Sequence, residues 1–261
     1  MGSLDVVDLD RYPILDLDGP LVRAQQDALA STGVCILPGF LRPAAVEKLM
    51  AESDDLAPLA YLSDVAGSPY LEVPADSWPA EHPRRAVVHT RLRAVAYDQF
   101  PEGSILRDLY EDDALMDFIG AVLGHSRLYR YADPLGALNL AVMEEGDELG
   151  WHYDQTDFVV SLAIQPSQGG GEFVSARRIR QPDDEHYDEV GRILAGEMHE
   201  SIETVPMTPG TLMLFEGRWS LHRVTPVVGD VPRYVGLLAY DTKPGTVSSE
   251  LLKRIRYGRA A

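Results

Sequence analysis

Residues 149–165 read LGWHYDQTDFVVSLAIQ. His152 and Asp154 stand one residue apart, just before the apolar run from Phe158 to Ile164. That run is short and rich in β-branched residues, as a buried strand is. At a strand end, residues i and i+2 project from the same face, so His152 and Asp154 can converge on one point. The tripeptide His-Tyr-Asp recurs as His186-Tyr187-Asp188 in DDEHYDEVGRIL. There the acids and the Val190-Ile193-Leu194 spacing predict an amphipathic helix or a long insert. On a helix, residues i and i+2 point about 200° apart, so His186 and Asp188 cannot share an ion.

Working outward, the chain changes character along its length. DGPLVRAQQDALASTG (18–33) is expected to be a helix stopped by Gly33, and GVCILPGF (33–40) a short strand and turn. RPAAVEKLMAESDDLA (42–57) is expected to form a second helix, with Pro43 in its first turn. Residues 56–86, rich in Pro, Ser and Asp, read as an irregular surface segment. SILRDLYEDDALMDFIGAVLG (104–124) reads as one helix or a broken pair. From residue 126 onward, short apolar runs alternate with Gly, Pro and Asp, the texture of antiparallel strands in a sandwich or barrel. The expectation is an α+β, mainly β chain: one domain over 1–261, with a helical part about 1–125 and a barrel core about 126–245.

Composition limits the function classes. Of 261 residues, 45% are hydrophobic and 25% charged, as in a globular protein. No apolar run approaches a membrane span. The first residues carry acids where a signal peptide needs positive charge, which speaks against secretion. The single cysteine, Cys35, fits a reducing compartment, so a cytoplasmic location is expected. The net charge of -18 repels phosphate backbones and anionic lipid. Small-molecule substrates are therefore expected, and neither nucleic acid nor membrane, for a monomer or homodimer. The same charge means that any anionic cosubstrate needs a local cation.

By itself His152-x-Asp154 is a weak signal, since roughly one such pair arises by chance in so acidic a chain. The plainer reading is a histidine capped by a carboxylate. The segment 209–241 adds the rest. GTLMLF reads as a buried strand. LHRVTPV and RYVGLLAYD read as two arms of a hairpin around the turn VGDVP. His222 opens one arm and Arg233 the other, with ten residues between them. Two histidines and one carboxylate, with other positions open, form the facial triad of non-haem Fe(II) oxygenases. Arg233 can supply a bidentate clamp for a carboxylate.

At WHYD (151–154), LHRV (221–224) and RYVG (233–236) the chain resembles the Fe(II)/2-oxoglutarate-dependent dioxygenase superfamily. The resemblance implies a double-stranded β-helix, a jelly-roll or cupin-like barrel, with N-terminal helices packed against it. It implies His152, Asp154 and His222 as Fe(II) ligands, and Arg233 as the anchor of 2-oxoglutarate, with O2 as the other cosubstrate. Residues from about 86 to 245 are also similar to a branch that hydroxylates or halogenates free amino acids and related metabolites. WHYDQTDFVVSLAIQPSQGGGEF and LFEGRWSLHRVTPVVG carry that likeness. One departure is Val235, where the superfamily often has Ser two residues after the clamp. Related halogenases carry a small residue in place of the acid, which leaves room for chloride. The presence of Asp154 therefore implies hydroxylation of an unactivated C–H, with release of succinate and CO2.

For a free amino acid, Asp157 and Glu145 are candidates for the ammonium and Arg91 for the carboxylate, with Trp219 as a candidate pocket wall. The plainer reading of each is a solvated or structural residue. GGGEF (169–173) reads as a barrel corner and not as a phosphate loop. The alternatives are a desaturase or cyclase of the same superfamily, a cupin-type metal enzyme, or a non-enzymatic binding barrel. A clamp for a dicarboxylic acid argues against the cupin enzyme, and an intact ligand set against the empty barrel.

Overall fold

The computed structural model describes residues 2–73 and 75–260. Helix α1 (Pro20–Thr32) begins on its proline and ends at Gly33, whose φ of 74° is the left-handed conformation that closes a helix. Strand β1 (Val34–Leu37) follows, then α2 (Pro43–Leu56). The chain next forms β2 (Tyr61–Gly67) and β3 (Val88–Ala96). Helices α3 (Ile105–Glu111) and α4 (Asp113–Val122) are the broken pair. Asp112 makes the break: its carboxylate accepts from the amides of Ala114 and Leu115, capping α4.

The strand region contains β4 (Tyr129–Arg130), β5 (Leu138–Met143), β6 (Glu148–His152), β7 (Val159–Gln165), β8 (Gly169–Gly170) and β9 (Phe173–Ala176). Helix α5 (Tyr187–Leu194) interrupts it. Then come β10 (Ile202–Val205), β11 (Leu212–Phe215), β12 (Leu221–Val224), β13 (Val227–Val228), β14 (Arg233–Leu238) and β15 (Tyr240–Asp241). Helix α6 (Glu250–Tyr257) closes the described chain.

The main sheet runs β1-β11-β7-β14-β5-β3-β6-β12-β9-β10, with β2 also paired to β3, and its pairings are antiparallel. Alternation sorts its side chains onto two faces. Val160, Leu162, Ile164, Leu212 and Leu214 pack outward with Leu49, Leu106, Phe118 and Ile119 of the helices. The other face is concave. Leu92, Met143, Met213 and Phe215 from one half meet Phe173, Val205 and Val224 from the other in a single cluster. The sheet is thus curled on itself as a jelly-roll, double-stranded β-helix barrel, with helices against one wall.

Three expectations need correction. Residues 56–86 are not wholly irregular, since β2 pairs with β3 from Tyr61↔Ala94 to Gly67↔Val88. Its side chains alternate no burial, because Ser63 is the sole buried residue on it, so backbone pairing alone makes the strand. With β1, β2 and β3 all in the main sheet, the first 125 residues are not simply helical. Finally, β12 and β14 are not arms of one hairpin. β12 lies between β6 and β9, whereas β14 lies between β5 and β7. Residues 225–232 carry the chain from one half of the barrel to the other, through β13 and a turn at Gly229 with φ 92°.

No helix among the described residues is long and apolar enough to cross a membrane.

Helix α6 is tied down by a buried acid. Asp133 accepts from the amides of Leu135 (3.0 Å) and Ser248 (2.8 Å) and pairs with Lys253 at 3.6 Å. Burial alone raises its pKa, but the amide bonds outweigh that and hold it below the ordinary value. Asp133→Asn is expected to cost about 2–4 kcal/mol, since it leaves Lys253 buried without its counter-charge. Because the folded pKa is depressed, this stabilisation is complete above the unfolded value of about 3.9 and is lost as pH falls through the lower folded value. Urea melts of wild type and variant across the acid range check both: the wild-type advantage should vanish at the acid end.

Candidate metal centre

A bulge aims the first histidine. His152 pairs with His222 and Leu149 with Val224, so β6 spends one more residue than β12 over this span. An extra residue re-aims the side chains that follow it. His152 thereby reaches the same concave face as Leu149, which packs on the inner cluster. Both histidines are buried, and their ring centroids lie 4.1 Å apart. Nδ1 of His152 donates to the Gly150 carbonyl at 2.8 Å, and Nδ1 of His222 to the Ser220 carbonyl at 2.9 Å. A carbonyl can only accept, so each Nδ1 carries the proton and each Nε2 keeps its lone pair.

Asp154 completes the group. One carboxylate oxygen is 3.7 Å from Nε2 of His152 and the other 3.4 Å from Nε2 of His222. One ligand atom from each residue lies within 4.8 Å of the other two, in the sole cluster of that kind among the described residues. Oδ2 of Asp154 is buried with no hydrogen-bond partner, a costly state for a carboxylate unless a cation satisfies it. The Asp154 amide donates to the Gly217 carbonyl, and the carboxylate fills the place of the missing Gly217 side chain. A Cβ there would lie 1.6 Å from Oδ2.

Burial lowers the His152 pKa to about 3, with the charge of His222 adding to the effect and that of Asp154 opposing it. Burial likewise lowers His222 to about 4 and raises Asp154. Both imidazoles are therefore neutral near pH 7, the form that ligates metal. A dication reverses the penalty on the carboxylate. The donor set, the orphaned oxygen and the unprotonated Nε2 atoms fit a divalent metal.

Arg233 opens β14 opposite Met143, and its guanidinium lies 3.8 Å from the Met143 sulfur. It is 7% exposed, and burial lowers its pKa to about 10. No carboxylate among the described residues pairs with it. Such a cation is prepared for an anion from outside the chain. The glycine-rich corner makes room for it: at Gly171, with φ 65°, a Cβ would stand 3.0 Å from Cδ of Arg233.

The remaining candidates are not drawn to the histidines. Arg91 is spent on Asp147 (3.1 Å) and Asp64 (2.6 Å), and its neighbour Arg93 pairs with Asp147 and Glu144. Glu145 is exposed in the turn between β5 and β6. Asp157 is largely exposed and paired with Arg218, in the loop that follows Asp154. Trp219 is half-buried beside the Arg180 guanidinium, 5.8 Å from its ring. The second His-Tyr-Asp lies elsewhere. His186 is the left-handed residue before α5, with φ 46°, and pairs with Asp184 and Glu189 through opposite ring nitrogens.

Sequence reasoning missed Ser175, which is fully buried with an unpartnered hydroxyl. It sits directly across from His222, so both side chains share the concave face. The alternation Phe173-x-Ser175 was the available signal. It also passed over α6, whose Tyr257 packs on the inner cluster.

A curled antiparallel barrel carries a His-x-Asp…His cluster on its concave wall, the donor set that non-haem Fe(II) oxygenases use. Solved structures of that class share the fold. A 2OG-Fe(II) oxygenase family oxidoreductase from Burkholderia pseudomallei matches with TM-score 0.54 at 14% identity, over 86% of this chain and 92% of that one. AviO1 from Streptomyces viridochromogenes matches with TM-score 0.57 at 16% identity, over 87% and 97%. EctD from S. alaskensis matches with TM-score 0.56 at 17% identity, over 86% and 77%. None of the curated proteins compared matches the sequence. Residues 78–251 match the Halogenase D family, and the chain belongs to it.

Proposed function

We propose that this member of the Halogenase D family is a hydroxylase of a small molecule, a free amino acid or related metabolite, with His152, Asp154 and His222 as the iron ligands and Arg233 as the 2-oxoglutarate anchor. The observation that supports hydroxylation over halogenation is the Asp154 carboxylate, buried against Gly217 and facing both Nε2 atoms. With iron held there, the carboxylate would occupy a position that a halide would need.

Fe(II) with 2-oxoglutarate and O2 supplies the oxidation of an unactivated C–H, with succinate and CO2 as the other products. The chain's residues organise it. The Gly150 and Ser220 carbonyls fix both imidazole tautomers and ring orientations. Phe215 and Phe173 pack on the His222 ring, at 4.9 and 5.5 Å between centroids, and exclude water from that side. Arg233, desolvated and unpaired, receives the distal carboxylate of the oxo acid through two parallel N–H donors. No proton-transferring side chain is required.

The test is succinate release from 2-oxoglutarate with Fe(II), with and without a panel of free amino acids and with chloride present. Mass spectrometry should show products heavier by one oxygen atom. Chlorinated products from the wild-type chain would remove Asp154 from the ligand set. Arg233→Lys keeps the charge and loses the fork, so the apparent KM for 2-oxoglutarate is expected to rise roughly tenfold or more, with Fe(II) affinity little changed. An unchanged KM takes Arg233 out of the cosubstrate site.

A further inference from the structure

We propose that the seam between β1 and β10, where the curled sheet does not close, is the port through which O2 reaches the candidate metal centre. The inference rests on the function proposed above and concerns how its gaseous cosubstrate enters.

Strands β1 and β10 stand at the two ends of the main sheet. Each has one partner strand among the described residues, β11 for β1 and β9 for β10. Between β1 and β10 lies a cavity of about 300 Å³. Val34 and Ile36 of β1, Val205 of β10 and Ala28 of α1 supply its apolar lining, and Arg177 and Glu203 its charges. Those two charges neutralise each other in an ion pair. Arg178 holds α1 in place beside the seam. Its guanidinium donates to the Leu29 and Ala30 carbonyls near the end of the helix, at 2.7 and 2.6 Å, and to Glu216 just past β11 at 2.7 Å.

The cavity backs onto the centre. Val34 is paired with Phe215, and Val205 with Phe173. The two phenylalanines meet edge to face, 5.1 Å between centroids, and both pack on the His222 ring. All four belong to the inner cluster. In a parallel row, Glu203 lies across from Ser175 and Ser175 across from His222. Two strand spacings, roughly 10 Å, therefore separate the backbone at the cavity from that of the histidine. One layer of side chains divides the cavity from His222.

The chemistry of that layer sets what can cross it. Phe173 and Phe215 are buried and offer no hydrogen bond. A 2-oxo acid or an amino acid would have to shed water from full charges to pass between them, with no counter-charge on the way. O2 carries no charge, and apolar cavities stay dry and admit small apolar guests. Interior side chains hop between rotamers, so an edge-to-face pair can open far enough for a diatomic molecule. On the proposed function, the oxo acid and the substrate both occupy the concave face. A port at the seam lets O2 arrive after both are bound.

The experiment fills the seam, with Ala28→Trp from α1 and with Ile36→Phe from β1. The full chain carries Fe(II) and 2-oxoglutarate, with the amino acid that the product screen identifies at saturation, and O2 is varied. In both variants the apparent KM for O2 is expected to rise about fivefold or more, while kcat at saturating O2, the KM for 2-oxoglutarate and the affinity for Fe(II) keep their wild-type values. Crystals of the metal-free protein under xenon give a readout independent of turnover. Xenon should sit among Val34, Ile36 and Val205 in wild type and be excluded by Ala28→Trp. The proposal is overturned if xenon leaves the wild-type seam empty, or if a folded variant keeps the wild-type KM for O2. It is also overturned if filling the seam changes the KM for 2-oxoglutarate or the Fe(II) affinity and leaves the KM for O2 alone, since the centre and not a passage would then have been disturbed. If circular dichroism shows one variant unfolded, the other variant and xenon on wild type decide. A wild type that releases no succinate with any amino acid is a separate result. It would sink the proposed function and take the role of the seam in O2 entry with it, even with xenon bound there.

Discussion

Alanine at His152 or at His222 is expected to abolish iron-dependent succinate release and to weaken Fe(II) binding by at least about a hundredfold. Each replacement leaves one imidazole and one carboxylate, too few to hold the ion against water. It also leaves the Asp154 carboxylate buried with one fewer neighbour able to share a cation. The control is His186→Ala, which should bind iron and release succinate as wild type does. His186 offers its two ring nitrogens to acids on opposite sides, 3.6 and 3.9 Å away, so no single ion can be held by that group. Calorimetric Fe(II) titration under anaerobic conditions, with circular dichroism to confirm folding, decides the matter. A folded but inactive His186→Ala protein would transfer the site to the other His-Tyr-Asp.

Asp154→Gly carries the second large effect. It removes the acid that stands 3.4 Å from Nε2 of His222 and vacates the space against Gly217. Hydroxylation is expected to fall by roughly two orders of magnitude or more, because as a ligand the carboxylate would also retain the metal. The centre gains one unit of positive charge, so chloride or water can enter. Added chloride should restore part of the turnover, with a trace of chlorinated product by mass spectrometry. Efficient chlorination is not expected, because the placement of the substrate decides whether hydroxyl or chlorine is transferred. A variant that hydroxylates as fast as wild type would show that Asp154 holds no metal.

The broad outcome of the chain is legible from local chemistry. Pro20, Pro43, Gly33 and Asp112 start, stop or split the N-terminal helices, because caps and breakers act through the backbone around them. The apolar run after Asp154 is a strand, and the spacing of His152, Asp154, His222 and Arg233 suffices to suggest a metal site with an anion clamp. The long-range arrangement is different. β2 buries almost nothing, so no pattern of side chains announces it, and only its pairing with β3 creates it. The turn before Arg233 looks like a hairpin turn, yet β12 and β14 take partners in opposite halves of the barrel, because each strand goes where its buried face is covered.

The same division runs through the site. That these residues form a His-x-Asp…His set is a property of the sequence. That His152 points inward is a property of the bulge in β6, which exists only once β12 is its partner. The commitment of Arg91 to Asp64 and Asp147, and the packing of Tyr257 of α6 on the inner cluster, join residues from distant parts of the chain. Periodicity along one strand or helix determines which side chains share a face. Which faces meet is decided by the packing of the whole barrel, where burial and counter-charge are settled together.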